Sequence, residues 1–173
     1  MIFTGFKRKT NQIFIKNHIQ DFLKRQSENT QHKIKNIIIF VDDITAVSNF
    51  KKEIFHQLKI EENQLKIVVY QQKKAKNEVE YHIISPKNFG WYGKFNQEKF
   101  PFSLTKKYDL LINYSKVDHL YLNLLLLQMN ISFKIGFPYF DNRFYDLLVN
   151  CEYHKISIFT NEIKKYLTIL NKL

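Results

Sequence analysis

Residues 37–41 read Ile-Ile-Ile-Phe-Val, five apolar residues in a row, four of them β-branched. Successive side chains of a strand point to opposite faces, so such a run needs cover on both sides. That requirement selects an inner strand of a parallel sheet with helices above and below it. The residues that follow agree. The run stops at Asp42-Asp43, Val47, Phe50, Ile54 and Leu58 then recur at helical spacing, and Leu65 to Tyr70 forms a second apolar run. Strand, helix and strand within residues 37–70 have the length of one right-handed βαβ unit.

The alternation continues. Glu78 to Ile84 reads as a third strand at an edge, Tyr108 to Tyr114 as a fourth, and Ile131 to Phe137 as a fifth. Leu147 to Val149 is a candidate sixth. Between the fourth and fifth, Val117 to Met129 is an apolar helix with Leu120, Leu124 and Leu127 on one stripe. A closing helix runs from about Asn161 to Asn171, with Phe159, Ile163, Tyr166, Leu167 and Leu170 on its buried face. The pattern predicts an α/β fold: an open, mostly parallel sheet of five or six strands with helices on both faces, Rossmann-like or flavodoxin-like. Residues 1–35 form a leading amphipathic helix, roughly Lys7 to Gln26, and a polar linker; residues 36–173 form a single α/β domain. Ile15, Ile19, Phe22 and Leu23 give the leading helix an apolar stripe expected to dock on the sheet; the alternative is a basic helix lying on a membrane or on RNA.

A chain of 173 residues has room for one ordinary domain. Its single cysteine, Cys151, excludes a disulfide-built scaffold. The longest leucine run, Leu124 to Leu127, is far short of a transmembrane span. At the start the apolar residues precede Lys7, Arg8 and Lys9, the reverse of a signal peptide. The cytoplasm is the expected compartment.

The formal net charge is +11, from 27 basic and 16 acidic residues. An excess of this size suits an anionic partner: RNA, DNA or a membrane surface. Yet only Arg8, Arg25 and Arg143 are arginines, and the rest are lysines. Lys, Ile, Asn, Phe and Tyr share A/T-rich codons, so drift in base composition is a second source. Base readout favours arginine, whose planar fork matches paired acceptors. Candidates for an anionic partner are Lys7, Arg8 and Lys9 with Lys73, Lys74 and Lys76 of a basic turn.

Ligands of open α/β sheets bind beyond the carboxyl ends of the strands. That position holds Asp42, Asp43, Asn113, Tyr114 and Ser115, with Gly136 nearby. Adjacent aspartates diverge in extended backbone, and Asn113 stands where a receiver domain would need a phosphate-accepting aspartate. The expected role of Asp42 or Asp43 is therefore an N-cap. The loop Phe89-Gly90-Trp91-Tyr92-Gly93-Lys94 holds two of the four glycines and the only tryptophan. It carries no phosphate-cradling glycine motif. Trp91 and Tyr92 are expected to close the core beneath the loop; the alternative is stacking on a ring or base. No histidine spacing marks a metal site, no cofactor is implied, and Cys151 with His154 lacks the rest of a nucleophilic site.

Two resemblances follow. Pro86 to Lys94 (PKNFGWYGK), Tyr108 to Tyr114 (YDLLINY), Phe133 to Gly136 (FKIG) and Tyr166 to Lys172 (YLTILNK) resemble a family of short α/β proteins of unknown function from Bacteroidota. It implies a fold and no catalytic residues. Tyr108 to Phe137 is similar to the first-domain segment of heptosyltransferase-type glycosyltransferases, in which a strand opening with Asp-Leu leads through a helix to a strand ending in Ile-Gly-Phe. Those enzymes act between two domains, and this chain has length for one. The leading expectation is a non-catalytic binding or adaptor protein with a basic surface. The alternative is a small-molecule or nucleotide-binding enzyme with its site at the strand ends, related to half of such a transferase. A protein complex is the other candidate partner.

Overall fold

The computed structural model describes residues 2–26, 33–72, 81–96, 104 and 106–173. The strands are β1 (Ile37–Val41), β2 (Leu65–Tyr70), β3 (His82–Ile84), β4 (Lys107–Tyr114), β5 (Asn130–Gly136) and β6 (Leu147–Leu148). They form one sheet in the order β3-β2-β1-β4-β5-β6, and every pairing is parallel. Every residue of β1 is buried, as its uninterrupted apolar run requires. It sits between β2 and β4, with Ile39 opposite both Ile67 and Ile112. This is the strand order of dinucleotide-binding folds, and it reverses direction between β1 and β4.

The helices are α1 (Ile2–Gln26), α2 (Ile44–Leu58), α3 (Leu120–Gln128) and α4 (Ile156–Ile169). α2 packs beside α4, and α1 packs on α3. Between α2 and α4, Phe50 stacks on Tyr114 at a ring-centroid separation of 4.2 Å, and Phe159 meets both. α1 contributes Ile19 and Phe22 to the main core, where Phe22 meets Phe144.

Several boundaries and faces differ from the sequence expectation: α1 begins at Ile2, five residues before Lys7, and packs on α3, and Tyr166 and Leu170 of α4 are exposed rather than on its buried face. α3 is buried on all its faces rather than along one stripe, with Tyr121 to Leu127 all in the interior. The sheet lies beneath it and α1 above it, which explains four consecutive leucines. α3 also begins at Leu120, because Val117 and Asp118 belong to a loop: Asp118 accepts from the Asn123 amide and from the Asp141 backbone. α4 begins at Ile156, five residues early. Its first residue follows Lys155, which has no capping side chain to announce it. At its end, Asn171 takes a left-handed conformation (φ 52°), Lys172 N–H donates to Leu167 O, and Asn171 N–H donates to Thr168 O. The Lys172 carbonyl then accepts from Ile34 N–H at 2.9 Å, tying this helix end to the approach of β1.

Candidate functional site

The reversal of strand order places a crevice at the carboxyl ends of β1 and β4, where the sequence puts Asp42, Asp43, Asn113, Tyr114 and Ser115. Three of these are buried and occupied. Asn113 donates to Tyr145 Oη (2.6 Å) and accepts from Ser115 Oγ (2.7 Å). The Tyr114 hydroxyl donates to the Tyr153 carbonyl, and burial raises its pKa. The Ser115 carbonyl accepts from Tyr139 Oη at 2.7 Å. These groups hold the β4–α3 and β5–α4 connections together.

The two aspartates divide their roles. Asp43 is the N-cap of α2: its carboxylate accepts from Thr45 N–H (2.9 Å) and from Thr45 Oγ1 (2.6 Å). Lys116 Nζ lies 2.6 Å from its other oxygen. Asp42 does not cap the helix. Both its oxygens accept from the Lys116 backbone N–H, and His119 Nε2 stands 2.8 Å from Oδ2. Asp42 thus bridges the end of β1 to the loop after β4. Beside this pair, Asp42, Tyr70, Gln71, Gln72 and His119 line an open hollow of about 380 Å³. The Tyr70 ring packs 4.3 Å from that of His119. Burial raises the Tyr70 hydroxyl to about 12, Tyr121 adds to the rise, and the Arg8 guanidinium on α1 opposes it. Burial and the neighbouring Glu152 and Glu162 push the Cys151 thiol up, and His154 pairs with Glu152 at 3.0 Å.

The Asp43 cap gives a testable pH dependence. The Lys116 ammonium and then the Thr45 hydroxyl lower its carboxyl from 3.8 to about 2. The unfolded chain therefore takes up the proton first. The stabilisation is fully present above about 3.8 and is lost as pH falls toward about 2. Asp43→Ala should destabilise by about 0.5–2 kcal/mol near neutral pH. The gap between variant and wild type, read from urea denaturation, should close at the bottom of that range. A gap independent of pH would contradict the charged cap.

The second candidate region is the loop between β3 and β4. Residues 88–96 close into a hairpin-like loop: Phe89 and Phe95 form an antiparallel bridge, Asn96 N–H donates to Asn88 O, and Gly90 N–H donates to Lys94 O. Its tip is the tight turn Trp91 to Lys94, closed by Lys94 N–H to Trp91 O at 3.1 Å. Both central residues are left-handed, Tyr92 at φ 53° and Gly93 at φ 75°. At Gly93 this conformation is free of strain, and a Cβ there would lie 2.5 Å from the Phe14 ring of α1.

α1 holds this loop from outside. The fully buried Asn11 donates to Gly90 O (3.1 Å) and accepts from Gly93 N–H (2.7 Å). Lys7 Nζ donates to Pro86 O (3.0 Å) and Phe89 O (2.8 Å). Gln128 at the end of α3 donates to Gly93 O. Lys7 therefore anchors the loop, while Arg8, Lys9 and Lys16 are exposed. Lys73, Lys74 and Lys76 lie outside the described residues. The expectation that Trp91 and Tyr92 close the core is overturned. Phe89 and Phe95 do that, whereas Trp91 is 43% and Tyr92 64% exposed. Lys87, Asn88, Lys94 and Asn96 stand around a hollow of about 560 Å³ floored by Phe89 and Phe95.

Sequence reasoning did not find Lys116, His119 or Asn11. Their partners lie 73–82 residues away, and no local pattern marks such pairs. Among the described residues, no group of histidine, cysteine or carboxylate side chains is placed to hold a metal ion, and no helix is long and apolar enough to cross a membrane.

No curated protein and no solved structure matches the chain. A family model does match, over residues 7–170, from the first loop anchor on α1 to the C-cap of α4. The chain belongs to that family, the family of unknown function DUF6913.

Proposed function

We propose that this protein is a non-catalytic binding protein of the cytoplasm that engages an anionic macromolecule through the surface built from α1 and the Lys87 to Lys94 loop. The observation that carries the reading is the distribution of charge on α1. That helix bears Lys7, Arg8, Lys9, Lys16, Lys24 and Arg25 against a single acidic residue, Asp21. Lys87 and Lys94 stand exposed on the loop that the same helix anchors. The strand ends argue against a nucleotide enzyme. A phosphate at the start of α2 would meet the Asp43 carboxylate, which already occupies the helix amides. Asn113, Tyr114 and Ser115 are buried and committed to one another and to neighbouring tyrosines.

A second reading, a small-molecule enzyme, is favoured by one observation: the Asp42–His119 pair opens onto the hollow beside Tyr70. An acid-oriented histidine suits proton transfer. The residues that line the hollow include no serine, threonine, cysteine or lysine to serve as its nucleophile.

Salt titration tests the leading reading. A polyanion bound through about six phosphate contacts should lose roughly 10³-fold in affinity or more between about 50 and 200 mM salt. Replacing Arg8, Lys9 and Lys16 by glutamine should lower the slope of log affinity against log salt by about one per residue, with the thermal midpoint kept. A slope that ignores which residues are removed would assign the charge to base composition.

A further inference from the structure

The exposed pair Trp91-Tyr92 is not explained by folding. A tight turn with two left-handed residues favours Asn-Gly, and a bulky tyrosine in the first of those positions is strained. The Tyr92 ring gains little packing in return, since it is 64% exposed. Strain kept at a solvent-facing side chain points to use of that side chain. The turn is also held rigidly. Asn11 grips the backbone on both sides of the pair, at Gly90 and Gly93, and Gln128 holds Gly93 from α3. Two aromatic faces are therefore presented from a fixed platform, with the exposed Lys87 and Lys94 on the same loop.

We infer that Trp91 and Tyr92 form a stacking platform for the unpaired bases of a single-stranded nucleic acid, whose phosphates meet Lys87 and Lys94 of the loop and the exposed Arg8, Lys9 and Lys16 of α1. This rests on the polyanion-binding reading and names its partner. Bases in a duplex are already stacked on one another, so exposed rings favour single strands. The supply of cations points the same way. Arginine, whose fork matches base edges, is scarce here, with only Arg8 and Arg25 on α1, and lysines, which contact phosphate as point charges, outnumber them on the helix and the loop. Binding should accordingly tolerate sequence. A membrane surface fits less well, because the exposed apolar residues Phe6, Ile13, Trp91 and Tyr92 are interspersed with Lys9, Lys16 and Lys94 and form no continuous apolar face.

The test uses the fact that Trp91 is the only tryptophan, so the intrinsic emission of the full chain reports on this site alone. The probes are fluorescein-labelled oligo(dT), heparin, and vesicles of phosphatidylglycerol with phosphatidylcholine. The expected result is salt-dependent oligo(dT) binding accompanied by quenching of Trp91, with heparin bound but not quenching. Tyr92→Asn, which restores Asn-Gly to the turn and keeps the reporter, should weaken oligo(dT) by roughly 5- to 150-fold. The same substitution should raise the thermal midpoint, so the loss cannot come from unfolding. Oligo(dT) binding without quenching and without a Tyr92→Asn effect would overturn the platform and leave the polyanion reading intact. A blue shift on vesicles with no response to oligo(dT) would replace nucleic acid by a membrane and overturn the inference. Binding of none of the three probes would overturn both readings.

Discussion

Gly93→Ala is expected to destabilise the protein by about 2–5 kcal/mol. Left-handed backbone costs an L-residue about 1–2 kcal/mol, and forcing a methyl into a filled site costs about 1–3 kcal/mol. Both apply at φ 75° with the Phe14 ring 2.5 Å from the new Cβ. The backbone N–H of Gly93 is also the donor to Asn11, so any shift that relieves the clash loosens a buried hydrogen bond. Gly90→Ala is the control. Its Cβ would meet Lys94 at 3.4 Å and its φ is ordinary, so it should stay within about 0.5 kcal/mol of wild type. Urea denaturation of the two variants checks this. Equal effects would mean that α1 does not clamp the loop as described.

Leu124→Ala is the second large effect, at about 2–5 kcal/mol. Leu124 is fully buried in a helix with interior on every side. With α1 above and the sheet below, few neighbours can move in to fill the space, which favours the upper part of that range. Leu120→Ala, at the half-exposed start of the same helix, should cost clearly less. An unchanged midpoint for Leu124→Ala would contradict the sandwiched position of α3.

The parallel sheet was legible because its signals are local. Ile37 to Val41 could be covered only on both faces, and the helical spacing of Val47, Phe50, Ile54 and Leu58 fixed the connection that follows. The Asp43 cap was legible for the same reason, since its partner is Thr45. What escaped the sequence depends on distant contacts. The burial of α3 on all sides follows from α1, nearly a hundred residues earlier in the chain. The roles of Asp42 and Lys7 are set by backbone groups 74 and 79–82 residues away. Trp91 and Tyr92 were misplaced because composition favours burying aromatics. The residues that actually fill the space, Phe89 and Phe95, flank them at two and three positions' remove and give the same composition.

The clamp between α1 and the loop has a consequence for synthesis. α1 is made well before it can be seated, because Asn11 waits for Gly93, 82 residues later. At about 5–20 residues per second, that interval is roughly 4–16 s. Throughout it Ile19 and Phe22 have neither α3 nor the loop to cover them. β1 faces a similar delay, with one edge open until β4 follows. A nascent chain halted before residue 93 should therefore carry an uncovered basic helix with apolar residues exposed, a form suited to capture by chaperones at the ribosome and to cleavage by proteases that leave the finished protein intact.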